Sequence, residues 1–352
     1  MGGCDSIPEE ENLKSQNTDN NNQIITIKCP ADTNSEEQSD FRILLLGSHG
    51  SGKSTIYQQL TILYCGGLEL EDYEDFVPEY VGAEIKNLFQ MIASDDQLVN
   101  TELHNYADTI SQLDDSDPYF IIKHENAVLI SQLWNDPITK AAIKERIYFD
   151  GDEYLLDNIL RFTEPNYFLT EEDILNFHTR TVCFNCMKLN INNILTDIVD
   201  VGGPRSENSR LFKFINGFDI ILYIVSLSYF DQSYCYPDQF QPDPDFAHLA
   251  TSDIFKSKPL FLIFTKKDIC EKRLKQEPEP LRSFYSDYHG DISNYDQFFE
   301  YIKSSYLNLL TGRKPEAWVE IAQINTLNRD DVYNLFQRIG RKVIETKSNI
   351  SK

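Results

Sequence analysis

A short glycine-rich motif near residue 50 constrains this chain more than any other feature. Residues 47–54 read Gly-Ser-His-Gly-Ser-Gly-Lys-Ser, which fits the phosphate-binding pattern G-x-x-x-x-G-K-S. The apolar run 41–46 before it predicts a buried strand, and 55–63 after it has no Gly or Pro and predicts a helix. A strand, a glycine loop and a helix in this order are the setting in which the motif binds phosphate.

The residue types in the motif suit phosphate chemistry. Glycines let backbone N–H groups turn towards phosphate oxygens, and the helix N-terminus adds a partial positive charge. We expect Lys53 to reach the outer phosphates and the Ser54 hydroxyl to bind Mg²⁺. The alternative is a glycine-rich turn before an ordinary helix. The predicted phosphate-binding residues of this loop are Gly47, Ser48, His49, Gly50, Ser51, Gly52, Lys53, Ser54 and Thr55.

The composition of the chain argues against some classes of binding partner and indicates a cellular compartment. The 352 residues carry a formal net charge of −24, which argues against nucleic acid or an anionic membrane as an electrostatic partner. No run is long and apolar enough to span a bilayer. The seven cysteines are odd in number and irregularly spaced, which indicates a reducing, cytosolic setting.

The N-terminus carries a lipidation pattern. The chain opens Met-Gly-Gly-Cys-Asp-Ser, which fits myristoylation at Gly2, and Cys4 is a natural palmitoylation site. One acyl chain binds membrane only marginally, so Cys4 would supply the second anchor. The alternative is an ordinary N-terminus that starts Met-Gly. The rest of 1–40 is polar and close to low complexity, which predicts a largely disordered arm.

Two kinds of periodicity divide the remaining chain. Residues 66–175 have apolar residues at helical spacing and no convincing strand, which predicts an all-helical insert. From residue 182 onward, strand-like runs alternate with helical segments, which predicts an α/β fold with a mostly parallel sheet. Pro237, Pro242 and Pro244 predict an irregular connection. The predicted strands are 194–200, 220–226, 260–264 and 318–324, and a closing helix is predicted at 330–346.

Taken in order, the motifs resemble those of the alpha subunits of heterotrimeric G proteins, over about residues 41–346. The resemblance rests on the phosphate loop, on a helical segment with Leu133-Trp134, and on five later segments. Those segments are 156–159, 165–167, 173–175, 200–203 with 205–207, and 265–268.

The resemblance implies a Ras-like phosphate-loop GTPase domain, at 41–65 and 176–352, with the helical domain 66–175 inserted into it. GTP or GDP would lie between the domains, and the γ-phosphate with Mg²⁺ would hold two loops that relax on hydrolysis. It further implies a G-protein beta-gamma dimer, a seven-helix receptor and effectors as partners. The implied location is the cytoplasmic face of the plasma membrane.

The resemblance also assigns individual residues. Ser54 and Thr181 would bind Mg²⁺, and Asp200 would reach it through water. Asp268 would accept hydrogen bonds from guanine, and the Lys266 stem would pack on the purine; for this pair alone, ordinary surface charges are the alternative. The remaining implied contacts are Leu175, Gly202 and Gly203 for phosphate, and Thr265 and Thr326 for guanine.

The chain departs from the family where hydrolysis is catalysed. Pro204 stands where the family has the Gln that orients the attacking water, and proline has no side-chain amide. His178 stands in place of the Arg finger, with Arg180 as a possible substitute. His49 and Gly50 replace a Gly and a Glu. These departures predict severely impaired GTP hydrolysis, and leave open whether the protein is an enzyme; drift in a weakly used copy is the alternative.

Other departures bear on guanine affinity and partners. Thr265 replaces an Asn and Thr326 an Ala, which predicts weakened guanine binding. Leu211 replaces a Trp that contacts the beta-gamma dimer, and 349–352 lacks the apolar tail that enters receptors. Two other functions remain open. One is a non-cycling pseudo-GTPase scaffold that binds effectors, and the other is a different phosphate-loop enzyme such as a kinase or ATPase.

Overall fold

The structure is a computed structural model, and it describes most of the chain. The described residues are 27–28, 38–48, 50–74, 76–95, 101–111, 123–144, 151–177, 185–200, 215–228, 242–276, 285 and 287–350.

A sheet of seven strands forms the centre of the described structure, in the order β1-β3-β4-β2-β5-β6-β7. Strand β2 lies in the middle and runs parallel to β4 and β5, and β6 and β7 continue the parallel half. Strand β3 is antiparallel to β4 and β1 is antiparallel to β3. The strands are β1 (Ile27–Lys28), β2 (Phe41–Gly47), β3 (Asn185–Ile191), β4 (Ile194–Asp200), β5 (Ile220–Ser226), β6 (Leu260–Thr265) and β7 (Val319–Ile324).

The central strands are continuous apolar runs because helices cover both faces of the sheet. Every residue of β5 and β6 is buried, as expected for parallel strands with two covered faces. Alternate residues of β2 enter different clusters: Leu44 and Leu46 pack on one face, and Ile43 and Leu45 on the other. The predicted α/β class with a mostly parallel sheet is confirmed.

Helices follow most of the strands, and a run of helices separates β2 from β3. Helix α1 directly follows the glycine loop and α12 closes the chain. The helices are α1 (Lys53–Tyr64), α2 (Phe76–Ala93), α3 (Glu102–Ser111), α4 (His124–Asn135), α5 (Pro137–Lys144), α6 (Gly151–Phe162), α7 (Glu171–Asn176), α8 (Pro244–Thr251), α9 (Asp253–Lys256), α10 (Lys267–Gln276), α11 (Tyr295–Leu309) and α12 (Arg329–Ile350).

The run of helices between α1 and β3 has its own hydrophobic core. Its buried members lie between Val77 and Phe177, and include the fully buried Phe89 and Trp134. We call the described residues from 68 to 177 the helical insert; they contain no strand. No member of this core belongs to the two clusters on the sheet, so the insert packs largely upon itself. The boundaries predicted at 66 and 175 stay predictions.

Two local features differ from the sequence prediction. Ile27 and Lys28 pair with Ile191 and Asn190 at the sheet edge, although they lie in the arm that was predicted to be disordered; the rest of that arm before residue 38 is outside the described residues. Pro244, predicted to mark an irregular connection with Pro237 and Pro242, is the first residue of α8, because proline needs no N–H donor at the first helical position. Pro237 lies outside the described residues.

None of the described helices combines the length and apolar character that crossing a bilayer requires.

Candidate functional site

The glycine loop lies at the carboxyl end of the central strand β2, between the ends of β4 and β5. Its backbone requires glycine, since Gly47, Gly50 and Gly52 have φ of 145°, 71° and 94°. A Cβ at Gly47 would lie 2.2 Å from the Ile224 carbonyl oxygen. The loop is therefore pressed against β5, and its shape is set by the sheet.

Lys53 is held inside this loop. It is only 6% exposed, and its Nζ donates hydrogen bonds to the carbonyl oxygens of Gly47 at 2.6 Å and Ser48 at 2.8 Å. Burial lowers the pKa of Lys53 to about 8, while the carboxylates of Asp200, Asp243 and Asp245 oppose that shift. The side chain therefore stays mostly cationic at neutral pH and is fixed where the sequence predicts the outer phosphates.

Asp200 is the last residue of β4, and Leu45 of β2 pairs with it. Its side chain is fully buried, and neither carboxylate oxygen accepts a hydrogen bond of good geometry from the described residues. Burial raises the pKa of Asp200, and the nearby Lys53 charge and Ser54 hydroxyl oppose the rise. A buried carboxylate whose oxygens lack well-formed hydrogen bonds is costly, so these oxygens are suited to a ligand.

Thr265 joins the first predicted guanine-contact element, residues 265–268, to the phosphate loop. It ends β6 and is fully buried. Its hydroxyl lies 2.7 Å from the carbonyl oxygen of Ser51 and 3.2 Å from that of Val225. Threonine in place of asparagine predicts weaker guanine binding, but the shorter side chain still reaches the phosphate loop through its hydroxyl. After it, Lys266 takes a left-handed φ of 59° and Asp268 lies in the first turn of α10.

The second predicted guanine-contact element, at Thr326, packs against the other side of the loop. Thr326 follows β7 and is buried, and its methyl carbon lies 3.1 Å from where a Cβ at Gly52 would be. Gln59 of α1 donates from Nε2 to the carbonyl oxygens of Thr326 at 3.1 Å and Leu327 at 3.2 Å. The two predicted guanine elements and the phosphate loop therefore form one packed unit.

Open space borders this unit. Asp268 and Asn325 line a groove of about 360 Å³ between α10 and the residues after β7. The side of the site that is predicted to contact guanine is therefore accessible.

Gln59 anchors the loop at Thr326 and Leu327, but the sequence alone does not point to it. Its only signal is a polar residue among apolar ones on α1, and such a residue is common at solvent-exposed positions. Asp243 and Asp245, whose charges act on Lys53, were also missed, because their proximity depends on how α8 packs.

The structure places Lys53, Ser54, Asp200, Thr265 and Thr326 around the glycine loop, and Leu175 near the end of α7. Several predicted residues lie outside the described ranges, so their predictions are unchanged. They are Gly2, Cys4, His49, His178, Arg180, Thr181, Gly202, Gly203, Pro204 and Leu211.

Comparison with known proteins gives a consistent family. The guanine nucleotide-binding protein alpha-6 subunit of Caenorhabditis elegans is 28% identical over 313 residues, covering 85% of each chain. The alpha-9 subunit of Dictyostelium discoideum is 25% identical over 328 residues, covering 90% of this chain and 92% of the relative. The G(o) subunit alpha of C. elegans is 25% identical over 284 residues, covering 76% and 78%.

The family model described as the G-protein alpha subunit matches residues 14–344. This match spans the phosphate loop, the helical insert and both predicted guanine-contact elements. Together with the geometry of the loop, it places the chain in the family of G-protein alpha subunits, of which it is a divergent member.

Proposed function

We propose that this protein is a guanine-nucleotide-binding switch that transduces signals, with severely impaired GTP hydrolysis. The observation that carries nucleotide binding is the packed unit of Thr265, the phosphate loop and Thr326. The Thr265 hydroxyl contacts Ser51 and the Thr326 side chain packs against Gly52. A bare phosphate site would not need base-contact elements fixed to both sides of the loop. A site for a nucleotide needs such elements, because the phosphates and the base of the nucleotide bind at the same time.

The residues present fit a magnesium ion. Mg²⁺ prefers hard oxygen ligands and usually keeps several waters. The buried Asp200 carboxylate has unpartnered oxygens beside Ser54, and Thr181 is the other proposed ligand. The proposed ligands are thus the hydroxyls of Ser54 and Thr181, together with waters that Asp200 would hold. Bound there, the ion would neutralise phosphate charge.

Impaired hydrolysis is proposed from the residues that differ from the family. Orientation of the attacking water requires a side-chain amide, and Pro204 has none. His178 is shorter than arginine and carries a positive charge only when protonated. Binding uses other residues, including Lys53 and Asp200. The protein is therefore proposed to hold GTP far longer than it would with a complete catalytic set.

Single-turnover hydrolysis of preloaded GTP tests this proposal, after denaturation and identification of the nucleotide that copurifies. The wild type is compared with the double variant Pro204→Gln/His178→Arg. We expect the double variant to hydrolyse GTP at least on the order of 10³ times faster, the low end of the effect of an arginine finger. Lys53→Ala is the control for loading, since it removes the buried phosphate-binding cation.

Each other outcome of this experiment has a definite meaning. Equal rates in the wild type and the double variant would contradict impaired hydrolysis, and point to Arg180 or another group as the catalyst. No bound nucleotide and no uptake in Mg²⁺ would favour the pseudo-GTPase scaffold. A preference for ATP over GTP would favour a phosphate-loop kinase or ATPase.

Membrane attachment and partners complete the proposal. Gly2 is proposed to carry myristate and Cys4 palmitate, which anchor the protein at the cytoplasmic face of the plasma membrane. The beta-gamma dimer, a seven-helix receptor and unidentified effectors are proposed as partners from family membership. Gly2→Ala is expected to release the protein from sedimented membranes, and continued sedimentation would contradict the anchor.

A further inference from the structure

We propose that two ion pairs clasp the helical insert to the guanine-contact elements and slow the release of bound nucleotide. The pairs are Glu153–Lys272 and Glu171–Arg329. This inference rests on the proposed function, since it concerns how the same site exchanges its nucleotide with solvent.

The first ion pair connects α6 of the insert with α10. Lys272 Nζ lies 3.0 Å from Glu153 Oε1, across 119 residues of sequence. Lys144 of the insert also lies 2.9 Å from Glu153 Oε2. Lys272 follows the guanine-contact residue Asp268 by one turn of α10, so both side chains project from the same side of this helix. The insert is therefore held next to the first guanine-contact element.

Glu153 is suited to this connection because each of its carboxylate oxygens contacts a lysine, Lys144 or Lys272. Partial burial opposes ionisation, but the hydrogen bonds from Lys144 and Lys272 lower the pKa of Glu153. One lysine belongs to the insert and the other to the nucleotide-binding domain. The carboxylate is thus fixed on its own side by Lys144 and is available, ionised, to Lys272.

The second ion pair connects α7 with the start of α12. Arg329 Nη2 lies 3.3 Å from Glu171 Oε2, while Glu171 Oε1 accepts a hydrogen bond from the backbone N–H of Leu68 at 3.3 Å. Arg329 is the first residue of α12 and comes three residues after Thr326. Glu171 therefore ties the start of the insert, through Leu68, to the second guanine-contact element.

Both pairs close the same side of the site. Their four partners lie beside the residues predicted to contact guanine, one pair at α10 and the other at the loop after β7. A base bound between these elements and the insert is released when the insert moves away, and that motion separates both ion pairs. Local openings of this kind have their own free energy, which the contacts they break determine.

Solvent exposure limits the size of the effect. The side chains of Glu153 and Lys272 are 35% and 45% exposed, and those of Glu171 and Arg329 are 31% and 50% exposed. Half-exposed pairs contribute little singly and are screened by salt. The expected effect of removing one pair is therefore roughly a two- to fivefold faster release, and the effects of the two pairs should multiply.

The test measures dissociation of a fluorescent GDP analogue from the full chain, chased with excess GDP. The single variants are Glu153→Gln, Lys272→Gln, Glu171→Gln and Arg329→Gln. The two double variants each change both partners of one ion pair. Each single variant is expected to release faster by the stated factor. Each double variant should match its single variants, because the same interaction has already been lost. Raised salt should speed release from the wild type and have less effect on the variants.

Lys303→Gln is the matched control. It removes an ion pair between Lys303 and Glu300, whose side chains are 21% and 61% exposed, and that pair lies within α11 and joins no domains. Its release rate should equal that of the wild type. If release by the control speeds up as much as in the clasp variants, a general loss of stability explains the change and the proposal is wrong.

A second readout reports the clasp itself. Spin labels at the exposed positions Ile138 on α5 and Asp296 on α11 report the distance from the insert to the nucleotide-binding domain by pulsed electron paramagnetic resonance. The distribution should broaden towards longer distances in Glu153→Gln and stay unchanged in Lys303→Gln. Unchanged release rates in all clasp variants would overturn the proposal. Failure of the proposed function would instead show as absent guanine-nucleotide uptake by the wild type, before any variant is compared.

Discussion

Thr265 shows at the residue scale how a substitution can keep one contact of the residue it replaces. Its hydroxyl reaches the Ser51 carbonyl oxygen at 2.7 Å because β6 ends directly beneath the phosphate loop. The backbone of the neighbouring strand also accepts from it, at Val225. The shorter side chain has no amide to offer to a base, so its described role is to position the loop.

We predict that Thr265→Val speeds GDP release and lowers stability by about 1–3 kcal/mol, since valine has the same shape but leaves buried carbonyl oxygens without a donor. Thr265→Ser keeps the hydroxyl and should release GDP at nearly the wild-type rate. Stopped-flow release and urea unfolding measure the two quantities. Equal release rates in the valine and serine variants would show that the hydroxyl does not brace the loop.

At the scale of one structural element, Asp173 stabilises the short helix α7 at the end of the insert. It forms a capping box with Thr170, and its buried carboxylate also accepts hydrogen bonds from Arg161, Tyr154 at 2.7 Å and Tyr167 at 3.0 Å. Burial alone would raise the pKa of Asp173, but the hydrogen bonds from Arg161, Tyr154 and Thr170 lower it to about 2. The ionised carboxylate therefore holds α7, which ends just before residue 178, against α6.

Asp173→Asn is predicted to lower the free energy of unfolding by about 3 kcal/mol at pH 7, because it leaves Arg161 without its buried partner. The folded pKa lies below the unfolded value, so this stabilisation is complete above about pH 4 and is lost as the pH falls towards 2. The stability difference between wild type and variant should shrink over that interval in urea titrations. Glu172→Gln, an exposed neighbour on α7, is the control. A difference that does not change with pH would contradict the assignment.

At the scale of the whole molecule, the described chain has separate hydrophobic cores. Phe89 is fully buried in the core of the insert, and Phe336 of α12 is fully buried against the sheet. The contacts between the two parts include the half-exposed ion pairs of the clasp. Such polar contacts are weaker than core packing, so the insert should open without unfolding the sheet.

Phe89→Ala and Phe336→Ala are predicted to each cost about 3–5 kcal/mol, the usual penalty for an emptied aromatic site. Hydrogen exchange followed by mass spectrometry should show faster exchange in α4 and α6 for Phe89→Ala, with β5 and β6 protected. Phe336→Ala should show the reverse. If either variant loosens both regions equally, the chain unfolds as one cooperative unit and the insert is not independent.

Local signals predicted much of this architecture. Strands β4 and β5 were predicted with the observed bounds. For β5 the reason is that a parallel strand buried on both faces must be a continuous apolar run. The phosphate loop was predicted because its residues are contiguous and their types suit phosphate binding. Pro244 was misread because proline has the same local preference in a loop and at the start of a helix. The pairing of Ile27 with Ile191 has no signal within the arm, since the partner strand lies far along the chain.

The sequence by itself therefore determined the class of fold, the phosphate loop and the family, because each depends on contiguous residues or on the order of motifs. Only the tertiary structure decided which distant side chains meet: Gln59 with the Thr326 loop, Thr265 with Ser51, and Glu153 with Lys272. Periodicity shows which face of an element is buried, but not which residue lies opposite it. That is set by packing, which joins residues that are more than a hundred positions apart.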